Sequence, residues 1–134
     1  MSVLRIIFGF LLVGAVPVLA AGCGGQAAVD PKVHRSKAEL GEFYEVYMTY
    51  AKNNQRPPKG ASDLKQYQKL YPTGMQAVQK GDYVVVWGTP TGSSETVLAY
   101  EKDAPKQGGA VLMADGTIKQ MSAEDLQSAL ITKG

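Results

Sequence analysis

Ala110-Val111-Leu112-Met113-Ala114-Asp115-Gly116-Thr117-Ile118-Lys119-Gln120-Met121 is the stretch that decides how this chain folds. An apolar run, an Asp-Gly pair and a second short run predict two antiparallel strands joined by a tight turn. Asp115 and Gly116 are expected to form a two-residue type I′ turn, which needs positive φ at both positions. Working outward, Glu95-Thr96-Val97-Leu98-Ala99-Tyr100-Glu101 reads as the preceding strand. Before it, Gly81-Asp82 turns the chain into Tyr83-Val84-Val85-Val86-Trp87. That run is β-branched or aromatic on both alternating faces, so it predicts a central strand buried on both sides. Residues 88–94 and 103–109 read as strand-connecting loops. After the hairpin, Ser122-Ala123-Glu124-Asp125 predicts the capped start of a last helix carrying Leu126, Ala129, Leu130 and Ile131.

The preceding part of the chain reads as helical. Ser36-Lys37-Ala38-Glu39 has the capping-box spacing, and Leu40, Phe43, Tyr44, Tyr47, Met48, Tyr50 and Ala51 follow at helical intervals. The aromatic stripe reads as core, with tyrosine hydroxyls reaching the rim. Asn53-Asn54 is the expected stop, since Pro57-Pro58 cannot continue a helix. A shorter helix is expected from Ser62-Asp63-Leu64, with Leu64, Tyr67, Leu70 and Tyr71 as its stripe and Pro72 ending it. Thr73 to Lys80 suits either a turn of helix or a loop. Helices followed by hairpin-joined strands predict an α+β domain: an N-terminal helix, a short second helix, an antiparallel sheet of about four strands and a C-terminal helix.

At the N-terminus, Met1 to Arg5 carries one positive charge, and Ile6 to Ala21 is apolar or small throughout, with Pro17 near its end. These are the parts of a secretory signal, and the run is short for a membrane span of about 20 residues. It closes on Leu19-Ala20-Ala21-Gly22-Cys23, and Cys23 is the sole cysteine. This arrangement resembles a bacterial lipoprotein signal, although Ala20 stands where such signals more often carry Leu. The resemblance implies that residues 1–22 are removed and that Cys23 becomes the acylated N-terminus. Gly24 follows directly, where lipoproteins kept at the inner membrane commonly carry Asp. The resemblance therefore implies a cell-envelope location, with the outer membrane favoured. Gly9-Phe10 also opens the processing site of prepilins, but Gly14 stands where those signals carry Glu.

Residues 23–35 then read as a flexible tether, rich in Gly, Gln and Ala, ahead of a single domain over 36–134. Loss of the signal leaves about 110 residues, the size of one domain. The formal net charge of +2 shrinks further when Arg5 leaves, and such a balance excludes nucleic acid as a partner. His34 is the only histidine and has no Cys, His or paired carboxylate near it in sequence, so it reads as an exposed residue.

The helix, the Pro-containing connection, the Ser-Asp-Leu helix start and the small sheet together resemble the head of type II secretion pseudopilins. Val97-Leu98-Ala99-Tyr100-Glu101 and Val111-Leu112-Met113-Ala114-Asp115-Gly116 resemble a prepilin-related group marked by His, nine residues and Asp-Gly. Pro105 occupies the histidine position here. The resemblance covers roughly residues 36–121 and implies an interaction or scaffold role beside envelope or secretion-assembly proteins. Pseudopilins of this kind can hold calcium in a strand-connecting loop. Glu101, Asp103 and Asp115 are the nearby carboxylates, short of the six to eight oxygens calcium takes, so no metal and no cofactor is expected.

Three function classes remain. The expected one is a non-enzymatic, lipid-anchored contact module that uses the loops 88–94 and 103–109, represented by Thr91 and Lys106. The alternative is a periplasmic binding module for a polymer or small ligand that uses Trp87 and the loop 88–94. An enzyme is not expected: the chain has no nucleophile–His–Asp set, no metal-ligand spacing and no phosphate-cradling Gly loop before a helix.

Overall fold

A computed structural model describes residues 30–132. The fold is α+β. In chain order it comprises α1 (Pro31–Asn54), a 3₁₀ segment (Ala61–Tyr67), α2 (Pro72–Gln79), β1 (Tyr83–Val85), β2 (Val97–Glu101), α3 (Ala104–Gln107), β3 (Gly109–Met113), β4 (Ile118–Met121) and α4 (Ala123–Ile131). The strands form one antiparallel sheet in the order β1-β2-β3-β4.

The first helix starts earlier than Ser36. Asp30 is its N-cap, accepting a hydrogen bond from the Lys32 amide at 2.9 Å, and Pro31 occupies the first turn, where a missing N–H costs nothing. Residues 31–35, expected in the tether, are therefore helical. Ser36 and Glu39 lie inside the helix on its buried face. They belong to the stripe that continues through Leu40, Phe43, Tyr47 and Tyr50, and the capping-box spacing is equally the spacing of two residues on one helical face.

Pro72 begins a helix instead of ending one. The expected second helix is the 3₁₀ segment, which buries only Leu64, and Leu70 is 71% exposed beyond it. The α2 helix packs Met75 and Ala77 into the core, and the Glu42 carboxylate of α1 accepts from the Thr73 and Gly74 amides. Those first-turn N–H groups have no partner within their own helix, so the acidic side chain satisfies them and the local dipole together.

The sheet is sandwiched. On one face Tyr83, Leu98, Ala99, Ala110 and Leu112 meet Leu40, Phe43, Tyr47, Met75 and Ala77 of α1 and α2. On the other, Val97, Val111 and Met113 meet Ala104 of α3 and Leu126 of α4. A register shift between Val97 and Ala99 inserts Leu98 as a bulge, which is why Leu98 and Ala99, though consecutive, join the same cluster. Ser122 caps α4 as expected, its Oγ accepting from the Asp125 amide at 3.1 Å.

Two expectations for the strands are corrected. The Tyr83–Trp87 run is the edge of the sheet, with three paired residues, and Val84 is 40% exposed. Its second apolar face does not mark a central strand. Tyr83, Val85 and Trp87 pack on the α1 side, and Val86 packs on the α4 side. The hairpin loop has three residues, Ala114-Asp115-Gly116. The Gly116 amide donates to the Met113 carbonyl at 3.0 Å, the Met113 amide donates to the Thr117 carbonyl at 2.8 Å, and only Gly116, at φ 92°, is left-handed. That is a type I turn followed by a glycine bulge, which matches strand twist without asking Asp115 for positive φ. The Asp115 carboxylate instead accepts from the Thr117 amide and hydroxyl, both at 2.9 Å.

Candidate functional site

Two buried polar side chains of the domain, Ser36 and Glu39, lie where the first turns of α1 cross the β1–β2 end of the sheet. Ser36 and Glu39 face inward from α1, Tyr83 opens β1, and Glu101 closes β2 opposite it. The Ser36 hydroxyl donates to Glu101 Oε1 at 2.6 Å, and the Ala110 amide donates to Glu101 Oε2 at 3.0 Å. Gly109 permits this approach, since any Cβ there would collide with the Glu101 carboxylate. In parallel, the Tyr83 hydroxyl donates to Glu39 Oε2 at 2.6 Å and Arg35 Nε donates to Glu39 Oε1 at 2.8 Å. Arg35 also reaches Asp82 at 3.4 Å, and Lys32 approaches Glu101 at 3.9 Å.

Ser36, Glu39 and Tyr83 are all buried, at 2%, 8% and 6% exposure. Burial of the ring, reinforced by the neighbouring Glu39 carboxylate, pushes the Tyr83 hydroxyl well above the ordinary phenol range. The Arg35 guanidinium is held more firmly charged by its hydrogen bond to Glu39. These residues, with Lys102 and Asp103, line an open pocket of about 170 Å³. Hydroxyl-to-carboxylate bonds of this length are charge-assisted and strong. Each hydroxyl is committed to a carboxylate, so the cluster works as a polar latch holding α1 to the sheet. Sequence reading missed it. The available signal was that Ser36 and Glu39 share a face with Leu40, Phe43 and Tyr47.

The residues singled out from sequence lie elsewhere. Cys23 falls outside the described residues. His34 is exposed on α1. Trp87 is half-buried, stacked on Tyr47 at 6.4 Å and edge-on to Phe43 at 6.1 Å, so its ring is engaged with α1. Tyr47 in turn donates to the Thr89 carbonyl at 2.9 Å, and burial raises its hydroxyl pKa to about 12. Thr91 borders a shallow groove of about 510 Å³ with Met48, Ala51, Lys52, Gln55, Arg56, Pro57 and Pro90. Lys106 is exposed on α3, inside what was expected to be a plain loop.

Thr91 and Lys106 do not share a patch. The loop bearing Thr91 precedes β2 and the segment bearing Lys106 follows it, so the two lie at opposite ends of that strand. The 88–94 loop is tied instead to the hairpin turn, through the Gly92 amide and the Ala114 carbonyl at 2.7 Å. The same topology separates Asp115 from Glu101 and Asp103. Among the described residues no three His, Cys, Asp or Glu side chains are grouped to hold a metal. Pro105 sits in the first turn of α3, where its carbonyl accepts from Gln127 at 2.6 Å. Among the described residues no helix is long and apolar enough to cross a membrane. Compared with family models, with curated proteins and with solved structures, the chain matches none of them.

Proposed function

We propose that this chain is a lipid-anchored envelope protein that acts by contact, as an interaction or scaffold module of the pseudopilin-head kind beside an assembly. The observation that carries the reading is the position of the folded domain relative to Cys23. The thiol closes an apolar, small-residue run, and the Asp30 cap of α1 follows after six intervening residues. Fully extended, that connection reaches at most about 25 Å, so a lipid on Cys23 would hold the domain close to the membrane surface. It enters at the end of α1 that carries the polar latch. The 88–94 loop lies at the other end, where Pro57 and Pro90 border the groove beside the α1 C-terminus.

Contact chemistry also suits the side chains. The Ser36 and Tyr83 hydroxyls of the cluster are paired with the Glu101 and Glu39 carboxylates, and the aromatic residue expected in the ligand-binding alternative, Trp87, has its ring against Tyr47. These pairings put the ligand-binding reading second. Photo-crosslinking in living cells from Thr91, with Lys106 at the opposite end for comparison, tests the reading. Capture from Thr91 of one envelope protein of constant mass is the expected result. A reproducible blank from both positions, with the protein well expressed, would favour the ligand-binding alternative.

A further inference from the structure

β1 is one of the two outer strands of the sheet, the other being β4. The Val86 amide donates to the Leu98 carbonyl and the Lys102 amide donates to the Asp82 carbonyl. Antiparallel alternation therefore directs the Asp82 carbonyl and the backbone groups of Val84 and Val86 to β2, while the Asp82 amide donates to the Ala77 carbonyl of α2. The backbone groups of Tyr83 and Val85 point to the open side, where no described strand pairs with them. Exposed edges are ordinarily blunted by charge, proline or a bulge. Tyr83 to Trp87 contains neither charge nor proline, and the bulge of this sheet lies between β2 and β3.

We infer that β1 pairs with β1 of a second copy of this chain, antiparallel about a two-fold axis through Val84, joining two four-stranded sheets into one. The register follows from the free groups. Tyr83 of each copy meets Val85 of the other, exchanging both hydrogen bonds, and Val84 meets Val84 in the close, non-hydrogen-bonded position. Val84, the exposed large apolar residue of the sheet, is thus the residue the pairing covers. The same register sets Asp82 opposite Val86, so no like charges face each other. The axis is perpendicular to the sheet, which keeps both α1 helices, and both Asp30 caps, on one side. Two chains anchored in one membrane require that arrangement, although the pairing itself does not depend on the lipid.

The close position brings Cα atoms to about 4.5 Å, within the range a disulfide spans. The full chain carrying Val84→Cys, oxidised in the membranes in which it is produced, should give a disulfide-linked homodimer. Its yield should be several-fold above that of the parent, which retains Cys23, and of Lys52→Cys on α1. Adding Val85→Pro, which removes an outward N–H and leaves the bonds to β2, should abolish the dimer at unchanged helical and sheet content. Hydrogen exchange in the parent needs no variant: the Tyr83 and Val85 amides should gain protection as the chain is concentrated. Dimer yield no higher than in Lys52→Cys, crosslinking to a different protein alone, or concentration-independent exchange at both amides would overturn the pairing. Fractionation in the same experiment reports separately on the anchor. A soluble chain that still forms the Val84 dimer would refute the lipid and leave the pairing standing.

Discussion

The Tyr44 ring of α1 occupies the space that a side chain on Gly116 would need: a Cβ built there falls 2.6 Å from Tyr44 Cε1. The tyrosine hydroxyl lies 3.5 Å from the Ala114 carbonyl, so the helix packs directly on the turn that sets the β3–β4 register. Gly116 is thus required twice, for its positive φ and for the close approach of an aromatic ring.

Gly116→Val should therefore destabilise the domain by more than the strain of about 1–2 kcal/mol that a left-handed non-glycine residue carries. Introducing Tyr44→Ala beside it should recover part of the excess, because the collision disappears while the strain remains. Urea denaturation of the single and double variants measures both quantities. A Gly116→Val chain with unchanged midpoint would refute the turn described here.

The latch predicts a graded response. Tyr83→Phe leaves a nearly buried Glu39 oxygen without its donor and should cost about 1–3 kcal/mol. Ser36→Ala removes the donor to Glu101 Oε1, which keeps the Ala110 amide on its other oxygen, and should cost less, about 1 kcal/mol. A double-mutant cycle between Ser36 and Glu101 should show coupling. Additive losses at these two positions would mean that they do not interact.

High pH should loosen the fold through its buried tyrosines. Tyr83 and Tyr47 have folded-state pKa values above the ordinary phenol value of 10, so the folded form retains protons that the unfolded chain gives up. Their contribution is complete below about pH 10 and is lost as pH rises from there towards the folded values. Stability followed by denaturant titration between pH 8 and 12, as a round working range, should stay level and then fall. Tyr47→Phe and Tyr83→Phe should each make the fall shallower. An unchanged slope in both variants would contradict the stated burial.

Much of the fold was legible because its signals are local. The Asp-Gly hairpin, the Ser122 cap and the aromatic stripe of α1 each depend on residues within a few positions of one another. What misled was also local. Ser36 and Glu39 are three residues apart, which marks a capping box and one face of a helix alike, and only Asp30 upstream settles the helix start. Pro72 both disfavours a helix before it and opens one after it. The apolar run at Tyr83–Trp87 reads the same at a sheet edge, where α1 and α4 each take part of it. The latch could not be read, because it joins residues 65 positions apart in Ser36–Glu101 and 44 apart in Tyr83–Glu39. Trp87 was expected in a binding module because the engagement of its ring by Phe43 and Tyr47 depends on a helix distant in sequence.

Mass spectrometry of the N-terminal peptide of the mature protein, isolated from membranes, bears on all of the functional reading at once. The peptide should begin at Cys23 and carry a diacylglyceryl group on sulfur, and Cys23→Ser should abolish both the modification and membrane retention. A membrane-bound chain that begins elsewhere, or that carries an unmodified Cys23 thiol, would contradict the lipid anchor and the contact role built on it.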